Sequence, residues 1–199
     1  MNLILFFNGW GMDERVIEDV AIPKNYKLEV INFPYEVNTE FEKYNEIILI
    51  GWSFGCYYLT KWLTLNREML NMSKVKKIVA INGNGEIIGK FGITPKIFEF
   101  TLSTLTPDSL LKFYKNMGIK DDFKVPKKEF EKIKYELEYF KNNYEPLKNI
   151  FTEAIIGKED KIVQYARQKK YCEIEKIFYK ELEIGHYPFD FIKNWGEII

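Results

Sequence analysis

Ile47-Ile48-Leu49-Ile50-Gly51-Trp52-Ser53-Phe54-Gly55-Cys56 is the stretch that decides the fold. Four consecutive apolar residues read as a strand buried on both faces, and the run from Cys56 to Leu65 reads as a helix. Between them stands Gly-x-Ser-x-Gly. A chain that passes from strand to helix in so few residues leaves room only for small neighbours around the serine. The turn holds the Ser53 hydroxyl at the carboxyl end of the strand. The helix that follows aims its free amides and the positive end of its dipole at the same spot. The pattern alone recurs by chance. Its seat between a buried strand and a helix makes Ser53 a candidate nucleophile.

Outward from this turn, short apolar runs alternate with longer amphipathic ones, the pattern of βαβ units and a parallel sheet. Strands are predicted at Leu3–Phe7, Leu28–Asn32, Ile47–Ile50, Lys77–Ile81, Glu153–Ile156 and Lys176–Lys180. Helices are predicted at Asp13–Val20, Phe54–Leu65, Ile162–Lys170 and Phe189–Trp195. Turn residues close the strands at their carboxyl ends: Asn8-Gly9, Phe33-Pro34, Gly51, Asn82-Gly83 and Gly157. Ligand sites in open α/β sheets lie at that edge. From about residue 84 to 149 the alternation stops. Helical patterns at Ile97–Leu105, Ser109–Asn116 and Lys127–Asn142, punctuated by Pro107, Pro126 and Pro146, predict a helical lid inserted over the catalytic edge.

A chain of 199 residues with 46% hydrophobic content is expected to form a single soluble domain. A formal net charge of zero argues against a dedicated nucleic-acid binder. Cys56 and Cys172 are the only cysteines and lack metal-ligand spacing. The apolar run Leu3–Phe7 is too short to span a bilayer. It has no basic segment before it and no cleavage site after it, so no membrane association and a cytoplasmic location are expected. Neither a phosphate-cradling glycine loop nor a dinucleotide fingerprint is present, and no cofactor is expected.

A serine hydroxyl is almost fully protonated at neutral pH and needs a base. The chain has one histidine, His186, in Gly185-His186-Tyr187-Pro188 after the last predicted strand. The orienting acid belongs between serine and histidine, after the penultimate strand, where Gly157-Lys158-Glu159-Asp160-Lys161-Ile162-Val163 lies. Asp160 is favoured because Gly-x-x-Asp-x-Ile-Val places it on the loop entering a helix, with Glu159 as its competitor. The order Ser…Asp…His is that of α/β-hydrolases. The expected fold is therefore a compact α/β-hydrolase: a mostly parallel sheet of about six strands, helices on both faces, and the lid. An oxyanion needs donors. The N–H of Phe54 is one candidate. The N–H of Trp10 is the other, in Asn8-Gly9-Trp10-Gly11-Met12, where an exposed tryptophan is expected between two glycines.

Asn8-Gly9-Trp10-Gly11-Met12-Asp13, Gly51-Trp52-Ser53-Phe54-Gly55 and Gly185-His186 together resemble the pimeloyl-[acyl-carrier-protein] methyl ester esterases of biotin synthesis, of the BioG type. Ala80-Ile81-Asn82-Gly83, Gly92-Ile93 and the run from Thr101 through Phe113-Tyr114 to Met117 extend the likeness over nearly the whole chain. BioH-type esterases carry His-Gly-Trp-Gly where this chain begins with Asn8. Asn84-Gly85-Glu86 departs from the Thr-Pro type of turn expected at the lid entrance. The resemblance implies a serine carboxylesterase with Ser53 as nucleophile, His186 as base and Asp160 as orienting acid. It also implies Trp10 and Phe54 as oxyanion or substrate contacts.

The implied substrate is a methyl ester at the far end of an acyl chain held by an acyl-carrier protein. An apolar channel beneath the lid is then required, and Phe98, Phe100, Leu102 and Leu105 are expected to line it. Carrier proteins are acidic, so the lid lysines Lys112, Lys115, Lys120, Lys124, Lys127, Lys128, Lys132 and Lys134 are the expected docking face. A monomer is expected. A general carboxylesterase or thioesterase with the same three residues is the first alternative reading, and a non-catalytic binding protein of this fold is the second.

Overall fold

Six strands form one sheet in the computed structural model, which describes residues 1–199. They are β1 (Asn2–Phe7), β2 (Tyr26–Ile31), β3 (Ile47–Trp52), β4 (Val75–Ile81), β5 (Glu153–Gly157) and β6 (Phe178–Leu182). All five pairings are parallel, and the order is β2-β1-β3-β4-β5-β6. Sequence pattern follows position in the sheet. Leu3–Phe7 and Ile47–Ile50 lie on adjacent interior strands and are buried throughout, as strands covered on both faces must be. The outer strands β2 and β6 mix Lys and Glu with apolar residues and are only partly buried.

The chain leaves β1 toward one side of the sheet and resumes at β3 toward the other. The direction of winding therefore reverses between β1 and β3, where the connections diverge and leave a crevice at the carboxyl ends of the strands. The loop after β1 and the turn after β3 meet there. Helix α1 (Phe54–Asn66) packs on β1 and β3. Three helices, α2 (Pro95–Ser103), α3 (Pro107–Asn116) and α4 (Phe130–Asn143), fall between β4 and β5. Thr94 and Thr106 cap α2 and α3, each side chain accepting a first-turn amide ahead of an N-terminal proline. Helix α4 carries Ile133, Leu137 and Phe140 inward, a three-and-four spacing that seats it on the crevice. Phe140 meets the Phe54 ring at a centroid distance of 4.5 Å. Helix α5 (Tyr165–Glu175) precedes β6.

Three predicted helices come out differently. Asp13–Val20 contains only a short 3-10 turn at Glu14–Ile17. Its β-branched Val16, Ile17 and Val20 are poor helix formers, and the Asp13 carboxylate also holds the amide of distant Lys127. Phe189–Trp195 is a turn followed by a bridge, because the Ala21 backbone takes both Lys193 O and Trp195 N. Ile162–Lys170 begins as helix only at Tyr165. The amides of Ile162 and Val163 are held by the Asp160 carboxylate, which keeps that turn out of the helix. Strand β6 starts two residues later than predicted, since Lys176 ends α5 in the left-handed conformation with φ 57°.

Both cysteines are buried and unpaired. Burial pushes the Cys172 thiol up to about 12 and the Cys56 thiol higher still. Only about one thiol in ten thousand at Cys172 would then be thiolate at pH 8. Folded protein is expected to show no rapid reaction with Ellman's reagent at pH 8, and to release two equivalents of thiol on unfolding in guanidinium. A fast first equivalent from native protein would contradict this packing.

Candidate active site

The turn after β3 is built around a strained residue. Ser53 sits at φ 56° and ψ −124°, a region costly for any residue with a Cβ. Its amide still donates to Ile81 O at 2.9 Å, so the strand registry carries through to the bend. The glycines on either side are required by space. A Cβ on Gly51 would lie 2.7 Å from the Cys56 Cα, and one on Gly55 would lie 2.0 Å from the Phe7 carbonyl oxygen. The result puts the Ser53 hydroxyl at the N-terminal end of α1.

His186 and Asp160 converge on it from the loops after β6 and β5. His186 Nε2 lies 2.8 Å from Ser53 Oγ, and His186 Nδ1 lies 2.8 Å from Asp160 Oδ2. All three residues are buried. With Nδ1–H donated to a carboxylate, Nε2 is left as acceptor for the Ser53 hydroxyl, the tautomer that proton abstraction needs. Glu159, the competing acid, is exposed beside Asp160 and takes no part. Asp160 is held by more than histidine. Its Oδ1 accepts the amides of Ile162 and Val163 at 2.8 and 2.9 Å, and its Oδ2 also accepts Gln168 Nε2 at 3.0 Å.

Gln168, Asn82 and Trp52 escaped the sequence reading. Asn82, at φ 47°, donates from Nδ2 to the carbonyls of Gly185 and His186 at 3.0 Å each. Its Oδ1 accepts Gly157 N–H at 2.7 Å. One side chain therefore joins the ends of β4 and β5 to the histidine loop. The Trp52 indole adds a second donor to His186 O at 2.9 Å. A signal for Asn82 existed: a buried-type strand ending in Asn-Gly directly beside the serine turn. Gln168 carried none, being a polar residue in a helix of ordinary composition.

Trp10 and Phe54 line a small open pocket of about 210 Å³, its mouth included, together with Ser53, His186, Gly9 and Phe113. The Phe54 amide is the first of α1 and by position has no intrahelical acceptor. The Trp10 amide makes no hydrogen bond within the protein. Two donors therefore stand free beside the serine. The expectation of an exposed Trp10 is corrected: the residue is 6% exposed, its indole N–H donates to Ile133 O at 2.8 Å, and Phe113 packs on it edge-on.

Trp10, Phe54 and Phe113 also line a larger cleft of about 830 Å³, its open mouth included. Phe98, Ile93, Ile97 and Leu137 extend its apolar wall, and Lys161 and Arg167 stand in its lining. Among the expected channel residues, Phe98 is present. Phe100, which was expected to touch the acyl chain, is 68% exposed and lies outside the lining, because two residues along α2 turn it about 200° away from Phe98. Leu102 and Leu105 also lie outside it and pack into the core instead.

A family model described as pimeloyl-ACP methyl esterase BioG matches residues 1–198. A Haemophilus influenzae protein described only as uncharacterized is 29% identical over a 209-residue alignment, covering 99% of this chain and 94% of that one. A malonyl-[acyl-carrier protein] O-methyltransferase of Bacteroides fragilis is 32% identical over 192 residues and covers 87% of this chain. The match takes in 38% of that relative's length. Among solved structures, BioG from Haemophilus influenzae superposes with a TM-score of 0.86 at 26% identity, covering 98% of this chain and 94% of that one. Human thioesterase 2 superposes with a TM-score of 0.60 at 13% identity over 97% of this chain and 91% of its own, a likeness of fold alone.

Proposed function

Because this chain belongs to the pimeloyl-ACP methyl esterase BioG family and is an esterase of α/β-hydrolase fold, we propose that it hydrolyses the methyl ester of pimeloyl-acyl-carrier protein to the free ω-carboxylate and methanol. The hydrogen-bonded run Asp160–His186–Ser53, with both contacts at 2.8 Å, carries this reading. Ser53 Oγ attacks the ester carbonyl while His186 Nε2 takes its proton. The oxyanion forms against the N–H groups of Phe54 and Trp10. Collapse breaks the bond to methoxide, and the proton on Nε2 passes to it as methanol leaves. Water, deprotonated by the same imidazole, then attacks the acyl-Ser53 carbonyl, and Nε2 returns that proton to Ser53 Oγ as the free acid departs. Asp160 keeps its charge throughout and stabilises the imidazolium.

The apolar cleft supports an acyl chain as substrate, and α2–α4 act as the lid that shields it from water. No helix is long and apolar enough to cross a membrane, and the proposed place of work is the cytoplasm, beside a soluble carrier. The docking face is narrower than composition implies. Of the eight lid lysines, Lys124, Lys128, Lys132 and Lys134 are already paired with carboxylates. Lys112 and Lys115 on α3 carry no ion pair, nor do Lys120 and Lys127; Lys161 and Arg167 stand in the cleft lining without a carboxylate partner, Arg167 donating to Gly92 O at 3.0 Å. Lys112 and Lys115, with Lys161 and Arg167 beside the cleft mouth, are the proposed contacts for an acidic carrier.

The test compares the carrier-bound methyl ester with dimethyl pimelate. Wild type is expected to favour the carrier-bound ester in kcat/KM. Raising salt from about 50 to 500 mM should erode that preference and leave the small ester nearly unchanged, because exposed charges are screened within a few ångströms at the higher strength. Lys112→Glu with Lys115→Glu should lower kcat/KM roughly tenfold on the carrier substrate alone. Equal turnover of both esters, unaffected by salt, would reduce the protein to a general carboxylesterase.

A further inference from the structure

Helix α4 buries Ile133, Glu136, Leu137 and Phe140 on one face. A carboxylate in the middle of that apolar stripe needs a reason. Glu136 is 5% exposed, and burial pushes its carboxyl up, with Lys128 and the Gly11 amide pulling it back down. Replacing such a pair with well-packed apolar groups is often neutral or stabilising, so packing alone does not account for it. Its contacts do. Glu136 Oε2 accepts the Gly11 N–H at 2.8 Å, and Oε1 takes the Lys128 ammonium at 2.7 Å.

Gly11 follows Trp10, whose own amide stands free at the serine and whose indole donates to Ile133 O one turn earlier on α4. The oxyanion loop is thus gripped at two adjacent residues by one helix of the insertion. From the sheet side its hold is more distant, through Asn8, which Tyr35 and Asn32 bind.

We propose that Glu136 is a positioning residue that locks the Trp10–Gly11 loop to α4 and so aims the Trp10 N–H at the oxyanion. Lys128, whose ammonium lies 2.7 Å from Oε1, holds the other end of the carboxylate and fixes its orientation. The site is then complete only when α4 is seated, which couples closure of the insertion to catalytic competence. The proposal rests on the esterase reading with Trp10 N–H as a donor.

The experiment uses full-length protein and p-nitrophenyl butyrate, a substrate too small to need the carrier face. Glu136→Leu is expected to lower kcat by roughly 30- to 100-fold with KM within about threefold, since one misaimed oxyanion donor costs on the order of a hundredfold. Glu136→Gln keeps an oxygen acceptor for Gly11 and should stay within about fivefold of wild type in kcat. Gly11 amide exchange should accelerate in Glu136→Leu and not in Glu136→Gln.

Glu136→Leu retaining kcat within about threefold overturns the proposal, as does a loss confined to KM. If Glu136→Leu does not fold, Glu136→Gln decides: a loss above about 50-fold at an unchanged melting temperature overturns it, and near-wild-type kcat supports it. Ser53→Ala serves as the control. Wild-type turnover that survives Ser53→Ala counts against the esterase reading itself, whereas Ser53-dependent turnover indifferent to Glu136→Leu counts against the Glu136 role alone.

Discussion

Ser53→Ala is expected to lower kcat for ester hydrolysis by at least about 10⁴-fold while leaving KM and the melting temperature nearly unchanged. The substitution removes one oxygen and no packing. Alanine keeps the Cβ that the turn already tolerates at φ 56°, so the strained backbone gains no new penalty. The lost contact is the 2.8 Å bond to His186 Nε2, and the imidazole remains anchored through Asp160 and through its carbonyl. Substrate still reaches the cleft and the two free amides, which explains an unchanged KM. What disappears is the covalent route, leaving only direct attack by water. Labelling by a fluorophosphonate, read by mass spectrometry, should occur on Ser53 in wild type and vanish in the variant. More than about 1% residual kcat would remove Ser53 from the nucleophile role.

The parts legible in the sequence are those that local chemistry writes. Buried parallel strands read as unbroken apolar runs, and Leu3–Phe7 and Ile47–Ile50 sit where that pattern put them. The serine turn announces itself because Gly51 and Gly55 are dictated by contacts within a few residues of Ser53 or with the adjacent strand end. His186 was legible by its uniqueness, and Asp160 by its place after a strand.

What stayed hidden depends on partners far along the chain. Trp10 reads as exposed until Ile133 arrives 123 residues later to take its indole proton. Asn82 reads as a turn residue, and its grip on Gly185 and His186 spans more than a hundred positions. The predicted helix at Ile162 was displaced by the very carboxylate that lies 2.8 Å from the His186 ring, so a wrong boundary marked a residue of the candidate site. Glu136 did leave a trace, a charge at an inward position of an amphipathic helix. Only the fold says that its partner is the loop beside the serine.

Asp160→Asn is the sharper test of how the three residues work together, and is expected to cost about 10⁴-fold in kcat with the fold retained. The asparagine cannot choose its orientation freely. Its oxygen must occupy the Oδ1 position, because the amides of Ile162 and Val163 both need an acceptor there. The NH₂ group then replaces Oδ2 and faces His186 Nδ1 as a donor. That forces Nδ1 to accept and puts the ring proton on Nε2, where it points at Ser53 Oγ instead of receiving its proton. The same NH₂ also confronts the Gln168 amide nitrogen, donor against donor at about 3 Å. Rotating Gln168 would offer its Oε1, which has no partner in the native structure, but would set that same oxygen against Val163 O, acceptor against acceptor. Either arrangement leaves one buried group mispaired, so a stability loss of about 1–3 kcal/mol should accompany the loss of rate. Gln168→Leu in the native background separates the two effects. It removes one bond to the carboxylate and leaves the histidine tautomer intact, so kcat should fall by only about tenfold. Comparable losses in Asp160→Asn and Gln168→Leu would mean that Asp160 serves the loop's structure and not the histidine's proton.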